Sequence, residues 1–99
     1  MVKRDLITDR QKKIALYAKV FSHPVRIYIV ELLKNQTCCY SGDLSQKLPV
    51  AKSTLSQHLK ELKKAGLIQG EISAPRIKYC LNKESWEDAR TLLKSLIDP

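Results

Sequence analysis

Ninety-nine residues with a hydrophobic fraction of 43% suit one domain over residues 1–99 with a modest core. Gly and Pro are few, which excludes a linker or low-complexity chain. The net charge of +8 favours an anionic partner, and no apolar run approaches a membrane span.

The opening MVKRDLITDRQKK is charged and lacks the apolar centre of a secretory signal. Three cysteines is an odd number in a chain with no sign of export, so reduced thiols in the cytoplasm are expected rather than a structural disulfide framework.

Thr8-Asp9-Arg10-Gln11 has the form of a capping box at the start of a first helix. Ile14, Tyr17, Ala18 and Phe21 make one apolar stripe on it, and Leu16 with Val20 a second. Pro24 suits the first position of a second helix. Val25, Tyr28, Ile29, Leu32 and Leu33 form its main stripe, with Ile27 and Val30 on other faces, so it is expected to be the central core helix. Thr37 to Tyr40 reads as a short strand. Ser41 is expected to cap a short third helix, with Asp43 in its first turn, Leu44 and Leu48 inward, and Pro49 ending it. A fourth helix runs from about Lys52 to Ala65, closed by Gly66 as a left-handed cap. Leu67 to Ile72 and Arg76 to Leu81 read as two strands joined through Ser73-Ala74-Pro75. Asn82 caps a last helix with a broad stripe of Trp86, Ala89, Leu92, Leu93, Leu96 and Ile97.

The fourth helix carries the strongest functional signal. Leu55, Leu59 and Leu62 share one face; Ser53, Ser56, Gln57, Lys60 and Lys64 share the opposite one. Small hydrogen-bonding groups lie at its N-terminal end and cations at its C-terminal end. A helix entering a DNA major groove needs that arrangement. The competing reading is a merely solvated face. Charge distribution weighs against it: residues 1–13 carry +3 and residues 51–80 carry +4, whereas residues 81–99 carry −1. Ser53, Thr54, Ser56 and Gln57 are expected at base edges, and Lys52, Lys60, Lys64, Arg76 and Lys78 mainly at phosphates.

The order is α-α-β-α-α-β-β-α, mostly α with a small antiparallel β-wing: a winged helix-turn-helix. Where FSHPVRIYIVELL is followed by SGDLSQKLPVAKSTLSQHLKELKKAGLI, the chain resembles the ArsR/SmtB family of bacterial repressors. The HPVR helix start, the DL before the turn, the STLSQHLKELKKAGLI helix and the wing carry the resemblance, over about residues 13–97. It implies a transcriptional repressor that forms a homodimer through its first and last helices. It further implies binding to a palindromic operator in double-stranded DNA, released by a metal, metalloid or redox signal. The stripes Leu16/Val20 and Trp86/Leu93/Ile97 are available for such an interface. The family's arsenic and cadmium sensors carry Cys-x-Cys directly before the Asp-Leu; Tyr40 and Gly42 stand there in this chain. Its zinc sensors carry paired His and acid ligands on the last helix, which has no His here, so that zinc site is expected to be absent.

In winged-helix topology the strand before the third helix pairs with the last wing strand, which would bring Cys38 or Cys39 near Cys80. Neighbouring strand residues face opposite ways, so one of the first two shares a face with Cys80 unless the strand bulges. Such thiols suit As(III), Sb(III), a soft metal ion or a redox bond; they also suit simple space-filling. His58 lies on the inward side of its helix and is expected to be structural, and His23 is a helix-start residue. No cluster of acid, base and nucleophile and no phosphate loop appears, so an enzyme is not expected. The alternatives to an effector-controlled repressor are a constitutive winged-helix regulator and a module that binds RNA or protein.

Overall fold

The computed structural model describes residues 6–35, 39–42, 44–71 and 78–99. Its elements are α1 (Asp9–Val20), α2 (Pro24–Asn35), β1 (Cys39–Ser41), a single 3-10 turn at Leu44–Gln46, α3 (Lys52–Lys64), β2 (Ile68–Glu71), β3 (Lys78–Leu81) and α4 (Lys83–Ile97). The fold is a mostly helical winged helix-turn-helix with a small antiparallel sheet.

Local chemistry sets the helix ends. Thr8 Oγ1 accepts from the Gln11 amide at 3.1 Å, while the Thr8 amide donates to Gln11 Oε1 at 2.9 Å. The capping box thus satisfies two helix-end donors reciprocally. Asn82 accepts from the Ser85 amide at 3.2 Å and starts α4. Gly66, at φ +82°, lets the chain leave α3 and turn into β2.

The third helix departs from expectation. It is one 3-10 turn, with the amides of Lys47 and Leu48 both donating to the Leu44 carbonyl. Pro49 disfavours helical geometry at Leu48 and cannot donate itself, so nothing propagates the turn. Ser41 is the last residue of β1, not a helix cap. The expected start of the strand at Thr37, the Ser73-Ala74-Pro75 turn, and Asp43 lie outside the described residues.

Leu33, Leu62, Leu67, Tyr79 and Ile29 are fully buried and make the centre of the core. α2 supplies Ile29, Val30 and Leu33, but it is not buried all round, because Ile27 and Tyr28 are 41% and 40% exposed. Of the expected interface stripes, Val20 belongs to the core, while Trp86 and Leu93 are partly buried against it. Trp86 packs edge-on to Phe21 at 5.9 Å, with the Lys34 ammonium 5.2 Å from its ring centre. A helix with two apolar stripes commits one of them to its own core first.

The sheet order is β1-β3-β2, with β3 antiparallel to both neighbours. Gly70 sits at φ +124° opposite Tyr79, and a Cβ there would stand 2.5 Å from the Lys78 carbonyl oxygen. Only glycine lets β2 approach β3 this closely. Gly70→Ala is therefore expected to lower stability by about 2–3 kcal/mol. Gly66→Ala, where the added carbon would meet only Ser85 Oγ at 3.6 Å, should lose about 1–2 kcal/mol. Urea midpoints measure the order; a Gly66 variant less stable than the Gly70 variant would contradict the packing argument.

Candidate nucleic-acid interface

α3 is held by its apolar face. Leu55, Leu59 and Leu62 are buried against the core, at the spacing read from the sequence. That seating turns Lys52, Ser53, Thr54, Gln57, Lys60 and Lys64 outward as exposed residues, with Ser56 half-buried at the rim. The expected helix-face residues thus share one surface. Gln57 Nε2 donates to Glu61 Oε1 at 3.2 Å, so its amide is held along the helix one turn from its own position.

Among the described residues no side chain caps the N-terminus of α3, where Ala51 holds the cap position. Ala51, Lys52, Ser53 and Thr54 are exposed, so the positive end of the helix dipole lies at the surface.

The wing stands at the other end of α3. Lys63 Nζ donates to the Gly70 carbonyl at 2.8 Å, tying the last turn of α3 to β2. Lys78 is exposed at the start of β3, with Ser41 and Glu71 as its cross-strand partners. Arg76 lies outside the described residues.

Beneath α3, Arg26 is buried, an unusual place for a guanidinium. Its Nε donates to His58 Nδ1 at 3.0 Å and its Nη1 to the Val20 carbonyl at 3.4 Å. The His23 ring lies 5.2 Å from that of His58. His58 is thus a structural histidine joining α3 to α2. Burial first, then the positive charge of Arg26 and the nearness of His23, hold its pKa below the usual 6.5. Sequence reasoning misses Arg26; its signal is its place two residues after Pro24, one turn before the first fully buried residue of α2.

The cysteines meet as the topology requires. Cys39 and Cys80 are directly opposed in the β1–β3 pair, with Cα atoms 4.0 Å apart, and are joined by a disulfide. The expectation of reduced thiols is corrected for this pair: strand register brings them together across 41 residues of sequence. Cys38 lies outside the described residues. Next to this pair, the Tyr40 and Tyr79 rings meet at a 38° tilt with their centres 5.9 Å apart. The Tyr79 hydroxyl is buried without a hydrogen-bond partner among the described residues, and burial raises its pKa.

Residues 23–69 match the family described as bacterial regulatory protein, arsR family. The chain is 31% identical to the HTH-type transcriptional regulator YgaV of Escherichia coli over 85 residues, 86% of each chain. It is 30% identical to the Biofilm growth-associated repressor of Xylella fastidiosa over 80 residues, 81% of this chain and 69% of that one. It is 41% identical to the HTH-type transcriptional repressor SmtB of Mycobacterium tuberculosis over 64 residues, 64% of this chain and 46% of that one.

The Arg26–His58 pairing has a pH consequence. The folded state favours neutral His58, so its contribution is present above the unfolded value near 6.5 and is lost as pH falls through the lower folded value. The urea midpoint of the wild type is expected to fall between pH 7 and pH 5. His58→Gln, which keeps an acceptor for Arg26, should fall less over the same interval. Parallel curves for the two proteins would show that this pairing does not titrate.

Proposed function

Because the chain belongs to the ArsR family of bacterial regulatory proteins, and is a DNA-binding transcriptional regulator rather than an enzyme, we propose that it acts as a homodimeric repressor on a palindromic operator. The observation that carries this reading is the seating of α3: three buried leucines present an exposed row of short polar side chains and lysines. Ser53, Thr54, Ser56 and Gln57 read base edges, and Lys52, Lys60, Lys64 and Lys78 bind phosphates. Arg76 takes the same phosphate role from its place two residues before Lys78 in the sequence. The names of two relatives, both repressors, support the sign of regulation.

The dimer forms through the outer ends of α1 and α4. These helices are cross-linked by Arg10 Nη2 donating to Ser95 Oγ at 2.7 Å and by Tyr17 and Lys13 on Asp88 at 2.9 and 2.7 Å. Leu6, Ile7, Leu96 and Ile97 are exposed beside that seam. A second subunit covers them and sets two α3 helices about one DNA turn apart. The protein works in the cytoplasm, where its operator is. Once the Cys39–Cys80 disulfide is reduced, Cys38, Cys39 and Cys80 supply thiols for a thiol-reactive effector such as As(III), Sb(III), a soft metal ion or an oxidant, which releases the operator.

Gln57→Ala is expected to relax sequence preference at a cost of about 1–3 kcal/mol. Lys60→Ala should weaken binding to all duplexes similarly and make the salt dependence shallower by about one unit for each phosphate no longer neutralised. Fluorescence anisotropy over a series of duplexes and salt concentrations separates the roles, and exchanged phenotypes would overturn them. Leu96→Asp should sediment as a monomer and bind operator far more weakly. A wild type that is monomeric at micromolar concentration would remove the dimer.

A further inference from the structure

We propose that the cleft where the C-terminal end of α1, the start of α2 and the last turns of α3 meet binds a short aliphatic carboxylate, and that this anion competes with DNA for Lys64. The site belongs to the subunit alone; its effect on DNA rests on the operator-binding reading.

The cleft measures about 480 Å³, within the range of small-ligand sites, about 300–1,000 Å³. Lys19 of α1, Arg26 of α2 and Lys64 of α3 line it, and Glu61 is the acid among its described lining residues. Glu61 Oε1 already accepts from Gln57 Nε2 at 3.2 Å. Three cations against one engaged carboxylate leave the space positively charged. Leu16, Val20 and Ala65 supply an aliphatic wall. Cations beside aliphatic carbon suit a ligand with a carboxylate head and a short hydrocarbon body.

Arg26 is the specific element. It is only 8% exposed, yet it lines the cleft. Its Nε and Nη1 donate to His58 Nδ1 and the Val20 carbonyl, and among the described residues no hydrogen bond engages its Nη2. A buried guanidinium with donors to spare favours an acceptor that brings negative charge. The walls are set before any ligand arrives. Ser22 Oγ donates to the Lys19 carbonyl at 2.6 Å, which fixes the turn between α1 and α2, and Arg26 fixes the same turn through Val20. Binding to walls held in this way loses little conformational entropy.

The cleft stays open in the proposed dimer. It lies at the C-terminal end of α1, whereas Leu6 and Ile7 of the seam precede the N-terminal end of that helix. The link to DNA is Lys64, which is exposed and holds a phosphate in the operator complex proposed above. A carboxylate beside Lys64 neutralises it and sets a negative charge next to the phosphate path. Ligand and DNA therefore oppose each other, each weakening the other by the same factor.

The test uses the full chain. It has two histidines; His23 lines the cleft and the His58 ring lies 5.2 Å from that of His23. Their imidazole proton signals in NMR therefore report on this site. Titration with sodium hexanoate at constant pH and ionic strength should shift the His23 signal saturably, with a Kd of about 1 mM or tighter. Acetate, the head without the body, and 1-hexanol, the body without the head, should bind at least about tenfold more weakly. Lys19→Gln should weaken hexanoate binding and Glu61→Gln should strengthen it, each by about threefold or more. On a duplex enriched from a randomised library by the wild type, saturating hexanoate should weaken binding at least about fivefold. Lys19→Gln should bind that duplex as the wild type does and need more hexanoate for the same inhibition. The absence of a saturable shift, equal binding of acetate or 1-hexanol, or a Glu61→Gln protein that binds hexanoate no more tightly overturns the site. Bound hexanoate that leaves duplex affinity unchanged overturns the competition for Lys64. If the wild type enriches no duplex, the operator reading falls, while the histidine signals still decide the site.

Discussion

Everything the molecule presents to a partner depends on how three leucines are buried. Leu55, Leu59 and Leu62 lie on one side of α3 and enter the core with Ile29 and Leu33 of α2 and Leu67. A helix has no freedom to roll once such a stripe is seated, because every other side chain is fixed in angle relative to it. The outward residues are therefore decided by the inward ones. Fully burying a leucine contributes about 1.5–3 kcal/mol, so the orientation of α3 is held far more firmly than its exposed polar row could hold it.

The buried Arg26 extends that constraint to the base of the helix. A guanidinium out of water must direct its donors at acceptors, and it finds them in the His58 ring and the Val20 carbonyl. One side chain thus joins α2, the end of α1 and α3. The arrangement asks for neutral His58, since a protonated ring would turn its Nδ1 from acceptor to donor against a donor.

How much is legible in the sequence follows from how local each signal is. The capping box at Thr8, the Asn82 cap, the Gly66 exit and the two faces of α3 are written within a few residues, and all of them appear in the structure. The sequence overstates the third helix: Leu44 and Leu48 have helical spacing, but Pro49 leaves too little chain to propagate it. Val20 looks outward in the sequence because periodicity counts apolar stripes without showing which one the subunit uses itself. The role of Arg26 is hidden for the opposite reason, since its partners come from α3 and the end of α1. The strand pairing that joins Cys39 to Cys80 comes from topology, and alternation along the strand allows only one of the adjacent cysteines to share a face with Cys80.

The strand order also bears on how the chain reaches this state. β2 and β3 are near neighbours in sequence, and α2, α3 and α4 are built from local contacts. β1 docks on a β3 that lies far downstream, with Cys39 and its cross-strand partner Cys80 separated by 41 positions. Closing that loop before the intervening helix exists would cost entropy without return. In the reduced chain the three-residue β1 is therefore the last strand to join and the first to detach, and hydrogen exchange at its amides reports a local opening well below the free energy of global unfolding.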